Sequence, residues 1–168
     1  MEENKCKSAN KKKFDIFLEV AKGLNNTFSV TPIITGSLGL CRLIGDFKEA
    51  TDIDIWVPKD LIGVKWPGVV IFMKSLGFEL KDKREHEFFR DGEIVAFGSG
   101  ADLVEQIKID PDALNISEVD GIKFKEFTVQ QYLDIYKLMT RDDYRQEKRR
   151  KDDQQKVKLI EEYIKNKK

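Results

Sequence analysis

The sequence predicts an α+β domain, a mixed β-sheet with helices before and after it. Three observations carry that prediction. Apolar residues recur with a helical period near both ends of the chain, over Phe14–Leu24 and over Val157–Ile164. Between them, Asp52–Val57 starts with the polar–apolar alternation of a strand. Two Asp-Gly pairs, Asp91-Gly92 and Asp120-Gly121, sit between short apolar runs and mark hairpins.

The elements follow in order. Phe14, Phe17, Leu18, Ala21 and Leu24 form a helical stripe, which Asn25-Asn26 is expected to end. Phe28–Thr35 reads as extended, with Pro32 at a strand start or edge. Gly36-Ser37 breaks that strand and Leu38–Ile44 reads as a short apolar helix, stopped by Gly45-Asp46. Val69–Leu76 is read as a helix with Gly77 beyond its end, before a strand over Phe78–Leu80. Glu85–Arg90 and Glu93–Phe97 make the first hairpin. Ala101–Asp110 suits a short helix and Val119–Lys125 a second hairpin. Thr128 with Gln131 three residues on is a capping box for the helix Val129–Met139. Arg141–Lys168 reads as a long charged helix buried along Val157, Ile160, Tyr163 and Ile164.

With 168 residues the chain suits one domain, taken as 14–168 after a basic polar segment over 1–13. Its 30 basic residues balance its 30 acidic ones, which excludes a general polyanion binder. The balance is local. The first 13 residues carry a net +3 and Arg141–Lys168 a net +4, so the body between them is acidic. Apolar runs such as Val69–Met73 fall far short of the roughly 20 residues of a membrane span. The first residues lack the apolar core of a secretion signal, and two cysteines, Cys6 and Cys41, build neither a disulfide framework nor a metal cluster. A reduced cytoplasmic protein is expected.

One segment carries chemistry: Thr35-Gly36-Ser37, then Asp52-Ile53-Asp54. A strand that ends in Gly-Ser and opens a helix offers backbone N–H groups and a hydroxyl to a phosphate. Asp-x-Asp on a strand places both carboxylates on one face. Two carboxylates so close repel each other, and a divalent cation between them resolves the repulsion. Mg²⁺ uses one or two carboxylates, with waters and phosphate oxygens completing its shell.

These residues resemble the signature of the nucleotidyltransferase fold of the DNA polymerase beta superfamily. Fourteen residues separate Ser37 from Asp52, and the apolar helix, Gly45 and the Asp-Ile-Asp-Ile strand are similar to the lincosamide- and aminoglycoside-type members. Phe127–Leu133 with Lys137 resembles the family's helix after the sheet, and Arg149-Arg150-Lys151-Asp152 its C-terminal segment. The resemblance implies Mg²⁺ bound by Asp52 and Asp54, with Gly36 and Ser37 holding the β- and γ-phosphates of a nucleoside triphosphate such as ATP. Lys137 and Lys151 would neutralise the triphosphate. A hydroxyl of a small-molecule acceptor would attack the α-phosphorus and release pyrophosphate.

Members of that family usually carry a third carboxylate on a later strand. Here the matching place, Val95-Ala96, is apolar. Glu93 is the nearest acid on that strand, with Asp102 and Glu87 as further candidates. His86 could face the cleft, and Trp56, Phe97 and Tyr132 could stack a base or belong to the core. Two other functions stay open. The fold could bind nucleotide or a partner without turnover, as the apolar Val95-Ala96 suggests. Or the basic run Arg145–Lys151 could bring RNA or protein as acceptor, in the manner of a toxin. Nucleic acid is not the expected partner, no membrane is involved, and a shallow cleft in a chain this size leaves room for a homodimer. No Walker, dinucleotide-binding or α/β-hydrolase motif is present.

Overall fold

A computed structural model of the chain describes residues 2–101, 105, 107–141 and 147–167. The first helix, α1 (Glu2–Phe28), is much longer than the apolar stripe that predicts it, because it takes in the polar segment before Phe14. Asn25 does not end it. The Asn25 amide donates to the carbonyls of Val30 (2.9 Å) and Lys123 (3.0 Å) and its Oδ1 accepts from the Lys123 N–H (2.9 Å), which ties the helix end to the sheet. The helix stops where Ser29 turns left-handed at φ 54°.

The strands are β1 (Ile33–Thr35), β2 (Ile53–Trp56), β3 (Glu79–Asp82), β4 (Glu87–Arg90), β5 (Glu93–Gly98), β6 (Asn115–Val119) and β7 (Ile122–Glu126). They form one mixed sheet in the order β3-β4-β5-β2-β1-β7-β6. β2 runs antiparallel to β1 and parallel to β5, and β1 runs parallel to β7. Both Asp-Gly pairs make their hairpins, joining β4 to β5 and β6 to β7. Both turn residues have positive φ in each (51° and 82°; 52° and 80°), the geometry that Asp-Gly tolerates. The other helices are α2 (Gly36–Ile44), α3 (Trp66–Ser75), α4 (Val129–Thr140) and α5 (Glu147–Lys167). Thr128 and Gln131 close the capping box of α4 (2.8 and 3.1 Å). Part of the expected helix over Ala101–Asp110, and residues 142–146, lie outside the described residues.

Two cores flank the sheet. On one face Ile53, Ile55, Val95, Phe88 and Phe124 meet Phe17, Val20 and Leu24 of α1 and Val69 and Met73 of α3, all buried. Phe17 meets Phe124 edge to face at 5.4 Å. On the other face α4 and α5 bury Leu133, Tyr136 and Ile160 against Ile33 and Phe127, with Trp56 packed at their margin. Period 2 in β2 therefore decides everything for the site. Ile53 and Ile55 enter the first core, and Asp54 and Trp56 face α4 and α5. This is an α+β architecture, with helices before and after a mixed sheet. Among the described residues no helix is long and apolar enough to cross a membrane.

Candidate nucleotide-binding site

The end of β1, the start of α2 and the start of β2 meet at one end of the sheet. Thr35 pairs with Asp54 across β1 and β2, so Gly36 and Ser37 stand directly beside the Asp-x-Asp segment. Gly36 has φ +70°, and a Cβ at that position would collide with Oδ2 of Asp54. Only glycine lets the first turn of α2 come down onto the carboxylate. Thr35 caps α2 without a side-chain hydrogen bond, and no acidic residue occupies the first turn. The helix thus presents its first N–H groups and positive end with nothing of its own to neutralise them.

These residues open into a cleft of about 360 Å³. Asp52 and Asp54 form its acidic side. Lys48, Arg149 and Lys156 line it as well, together with Asp152 and Asp153, and Trp56, Tyr136 and Met139 give its apolar walls. Burial and the neighbouring Asp52 push the Asp54 carboxyl up to about 6, with Lys156 and Arg149 pulling the other way. Burial and the charge of Lys48 lower Lys156 from the usual lysine value. An acidic pair and a desolvated cationic group thus face the same space.

The donor set fits a magnesium ion. Two carboxylates lie beside a glycine cradle that a Cβ would fill. Among the described residues no third His, Cys, Asp or Glu is close enough to make a complete protein cage. That is the pattern for an ion that takes its remaining oxygens from water and phosphate.

Of the residues singled out in the sequence, the structure brings Gly36, Ser37, Asp52 and Asp54 together. It does not bring Glu93, Lys137 or Lys151 to them. Glu93 lies on the opposite face of β5, the face that holds Val95 and Phe97, because three residues of pleat separate it from Ala96. Its carboxylate pairs there with Lys13 of α1 at 3.2 Å and Lys12 at 3.7 Å. Lys13 and Glu93 are both buried, so Glu93→Gln leaves Lys13 with only the half-exposed Glu49, at 3.5 Å, as a charge partner. The expected result in a denaturant melt is a loss of roughly 1–3 kcal/mol, with nucleotide binding unchanged. Lys137 and Lys151 are exposed and line no part of the cleft. Asp102 lies outside the described residues. His86 packs edge-on against Trp66 (4.6 Å), and Phe97 and Tyr132 are core residues, whereas Trp56 lines the cleft.

The sheet register brings one more acid onto the face of Asp54. Asp54 pairs with Ala96, and Ala96 pairs with Glu87 on β4. Thr35, Asp54, Ala96 and Glu87 therefore form a row across four strands on the cleft face. Two strand spacings put Glu87 about 10 Å from Asp54 along that row, with only a methyl group between them. Burial and the charge of Asp52 raise the Glu87 carboxyl above the ordinary range.

The part of the cleft that α5 lines has a signal of its own in the sequence. Arg149, Asp152, Asp153 and Lys156 follow the i, i+3, i+4, i+7 spacing of one helix face, and Ile160 and Ile164 continue it in apolar form. A helix whose inward stripe changes from polar to apolar leaves the core to line a site.

No family model matches the chain. It is 31% identical over 155 residues to the uncharacterized protein YnaI of Bacillus subtilis (strain 168), a match that covers 92% of this chain and 99% of YnaI. The crystal structure of an antigenic nucleotidyltransferase-like protein from Paracoccidioides brasiliensis superposes on it with a TM-score of 0.62 at 14% identity, over 89% of this chain and 75% of that one.

Proposed function

The chain belongs to the YnaI family, and we propose that it is a Mg²⁺-dependent nucleotidyltransferase that moves a nucleoside monophosphate from a triphosphate, ATP by preference, to a hydroxyl of a small molecule. The observation that carries this reading is the joint placement of an uncapped helix start at Gly36-Ser37 against the Asp52/Asp54 pair, in one cleft with Lys48, Arg149 and Lys156. Asp52 and Asp54 would hold the ion, which neutralises charge on the transferring phosphoryl group when bound. The first turn of α2 receives the terminal phosphates. Lys48, Arg149 and Lys156 take the anion-neutralising role that the resemblance implies for Lys137 and Lys151.

Glu87, across Ala96 in the same row, would receive the proton of the attacking hydroxyl. The acceptor oxygen gains a bond to the α-phosphorus, the bridging oxygen to the β-phosphorus leaves with pyrophosphate, and the proton passes to Glu87. The lincosamide- and aminoglycoside-type enzymes are the guide to such an acceptor, a compact molecule rich in hydroxyl groups. The alternative, a nucleotide- or partner-binding protein without turnover, is favoured by one observation: Ala96 occupies the place in register with Asp54.

Calorimetry tests the binding step with an ATP analogue whose α,β-bridge resists cleavage. Binding is expected with Mg²⁺, absent without it, lost in Asp52→Asn and retained in Glu87→Gln. A wild-type protein that binds none of the four nucleotide analogues overturns the reading.

A further inference from the structure

Asn10 is a polar side chain with 4% of its surface exposed, in the part of α1 that precedes every apolar residue of the stripe. All its hydrogen bonds go to one loop. Its Nδ2 donates to Oδ1 of Asp46 and to the Lys48 carbonyl, each at 2.9 Å, and its Oδ1 accepts from the Ala50 N–H at 2.9 Å. The Cys41 thiol adds a second donor to the Lys48 carbonyl at 3.6 Å. Burying an amide is costly unless each of its polar atoms is matched. Here the matching is complete, and its target is the connection from α2 to β2.

That connection starts at the left-handed Gly45 after α2 and ends at Asp52. Its one side chain in the cleft before Thr51 is Lys48, whose own carbonyl Asn10 grips. The loop has no regular secondary structure over Gly45–Ala50, so its backbone hydrogen bonds must come from elsewhere. Asn10 supplies two of them, at Lys48 and Ala50, from about 40 residues away in sequence.

We propose that Asn10 is a positioning residue of the nucleotide site, fixing the Gly45–Ala50 loop so that Lys48 is presented to the triphosphate. The N-terminal helix is then part of the binding machinery as well as a cover for the sheet. The proposal rests on the nucleotide reading above. Burial and, after it, the charge of Lys48 lower Lys156, which agrees with a loop held close to α5 rather than one free to swing away.

A double-mutant cycle reads the coupling, with the full chain, Mg²⁺ and the same uncleavable ATP analogue. Lys48→Ala and Asn10→Ala are each expected to weaken binding about tenfold, and the double variant also by about tenfold rather than a hundredfold. A residue that only stabilised the fold would give additive losses, or none. Equal affinity in Asn10→Ala and the wild type overturns the proposal, as does full additivity. If Asn10→Ala does not fold, Asn10→Asp serves, because it keeps the acceptor for Ala50 but sets a carboxylate against Asp46. It should show the same loss and the same lack of additivity with Lys48→Ala. Absence of binding by the wild type would instead refute the nucleotide reading itself.

Discussion

Asp54→Asn is expected to make the metal-free protein more stable and at the same time to abolish Mg²⁺-dependent nucleotide binding. Burial and the charge of Asp52 raise the Asp54 carboxyl to about 6, whereas in the unfolded chain it loses its proton at the ordinary, lower value. The folded form therefore holds a proton that the unfolded form has released. The stability tied to Asp54 is full below the ordinary carboxyl value and is lost as pH rises through about 6. Near neutral pH the cost is at most about 3 kcal/mol. An amide of the same shape removes it. At pH 7.5 the melting temperature of the variant should rise by roughly 3–8 °C, since 1 kcal/mol is worth about 2–4 °C at this chain length. The gain should vanish near pH 4. Mg²⁺ with the ATP analogue should raise the melting temperature of the wild type and leave the variant unmoved. An unchanged or lower melting temperature at pH 7.5 would show that Asp54 is not held against its charge.

Gly36→Ala should do the most harm for the smallest change. The backbone stands at φ +70°, where an L-residue with a Cβ costs roughly 1–2 kcal/mol. The larger effect is steric and local. The added methyl carbon would meet Oδ2 and Cγ of Asp54, so the carboxylate must leave its place or the first turn of α2 must lift. Either movement separates the anion end of the site from the metal end. Affinity for the Mg²⁺–analogue complex is expected to fall by more than about 100-fold. Ser37→Ala, which removes one hydroxyl and no space, should cost only about tenfold, the worth of a single hydrogen bond. Calorimetry on both variants, with a melt to confirm folding, decides. Equal losses for the two would mean that the close approach of α2 is incidental.

Much of this arrangement is legible in local sequence. The Asp-Gly hairpins, the α4 capping box and the Asp-x-Asp strand each depend on signals within a few residues, and each stands where those signals place it. So does the conjunction of Gly36-Ser37 with Asp52 and Asp54, because short strands on either side of one helix are forced to be neighbours. What local sequence hides is set by distant pairing. Glu93 reads as the acid of its strand because it opens β5, but face is decided by parity relative to Asp54, and parity needs the register with β2. Glu87 cannot be ranked from sequence for the same reason, since its place depends on two pairings in succession. Residues 1–13 read as a polar tail by composition. Asn10 and Lys13 are nonetheless buried, because each meets a partner that local sequence does not show: the Lys48 loop for one, Glu93 for the other.

The two sides of the cleft are made at different times. Asp52 and Asp54 emerge from the ribosome well before Arg149 and Lys156, which belong to the helix that follows the whole sheet. A nascent chain that has completed its sheet holds Asp52, Asp54 and Lys48 but neither Arg149 nor Lys156. On the nucleotide reading, ligand would recognise only a molecule in which both halves are present, and once bound it would fasten the late-made helix to the early-made sheet. At a concentration one hundred times its dissociation constant that clasp adds about 2.7 kcal/mol to the folded state, so the protein should be hardest to degrade when its substrate is most abundant.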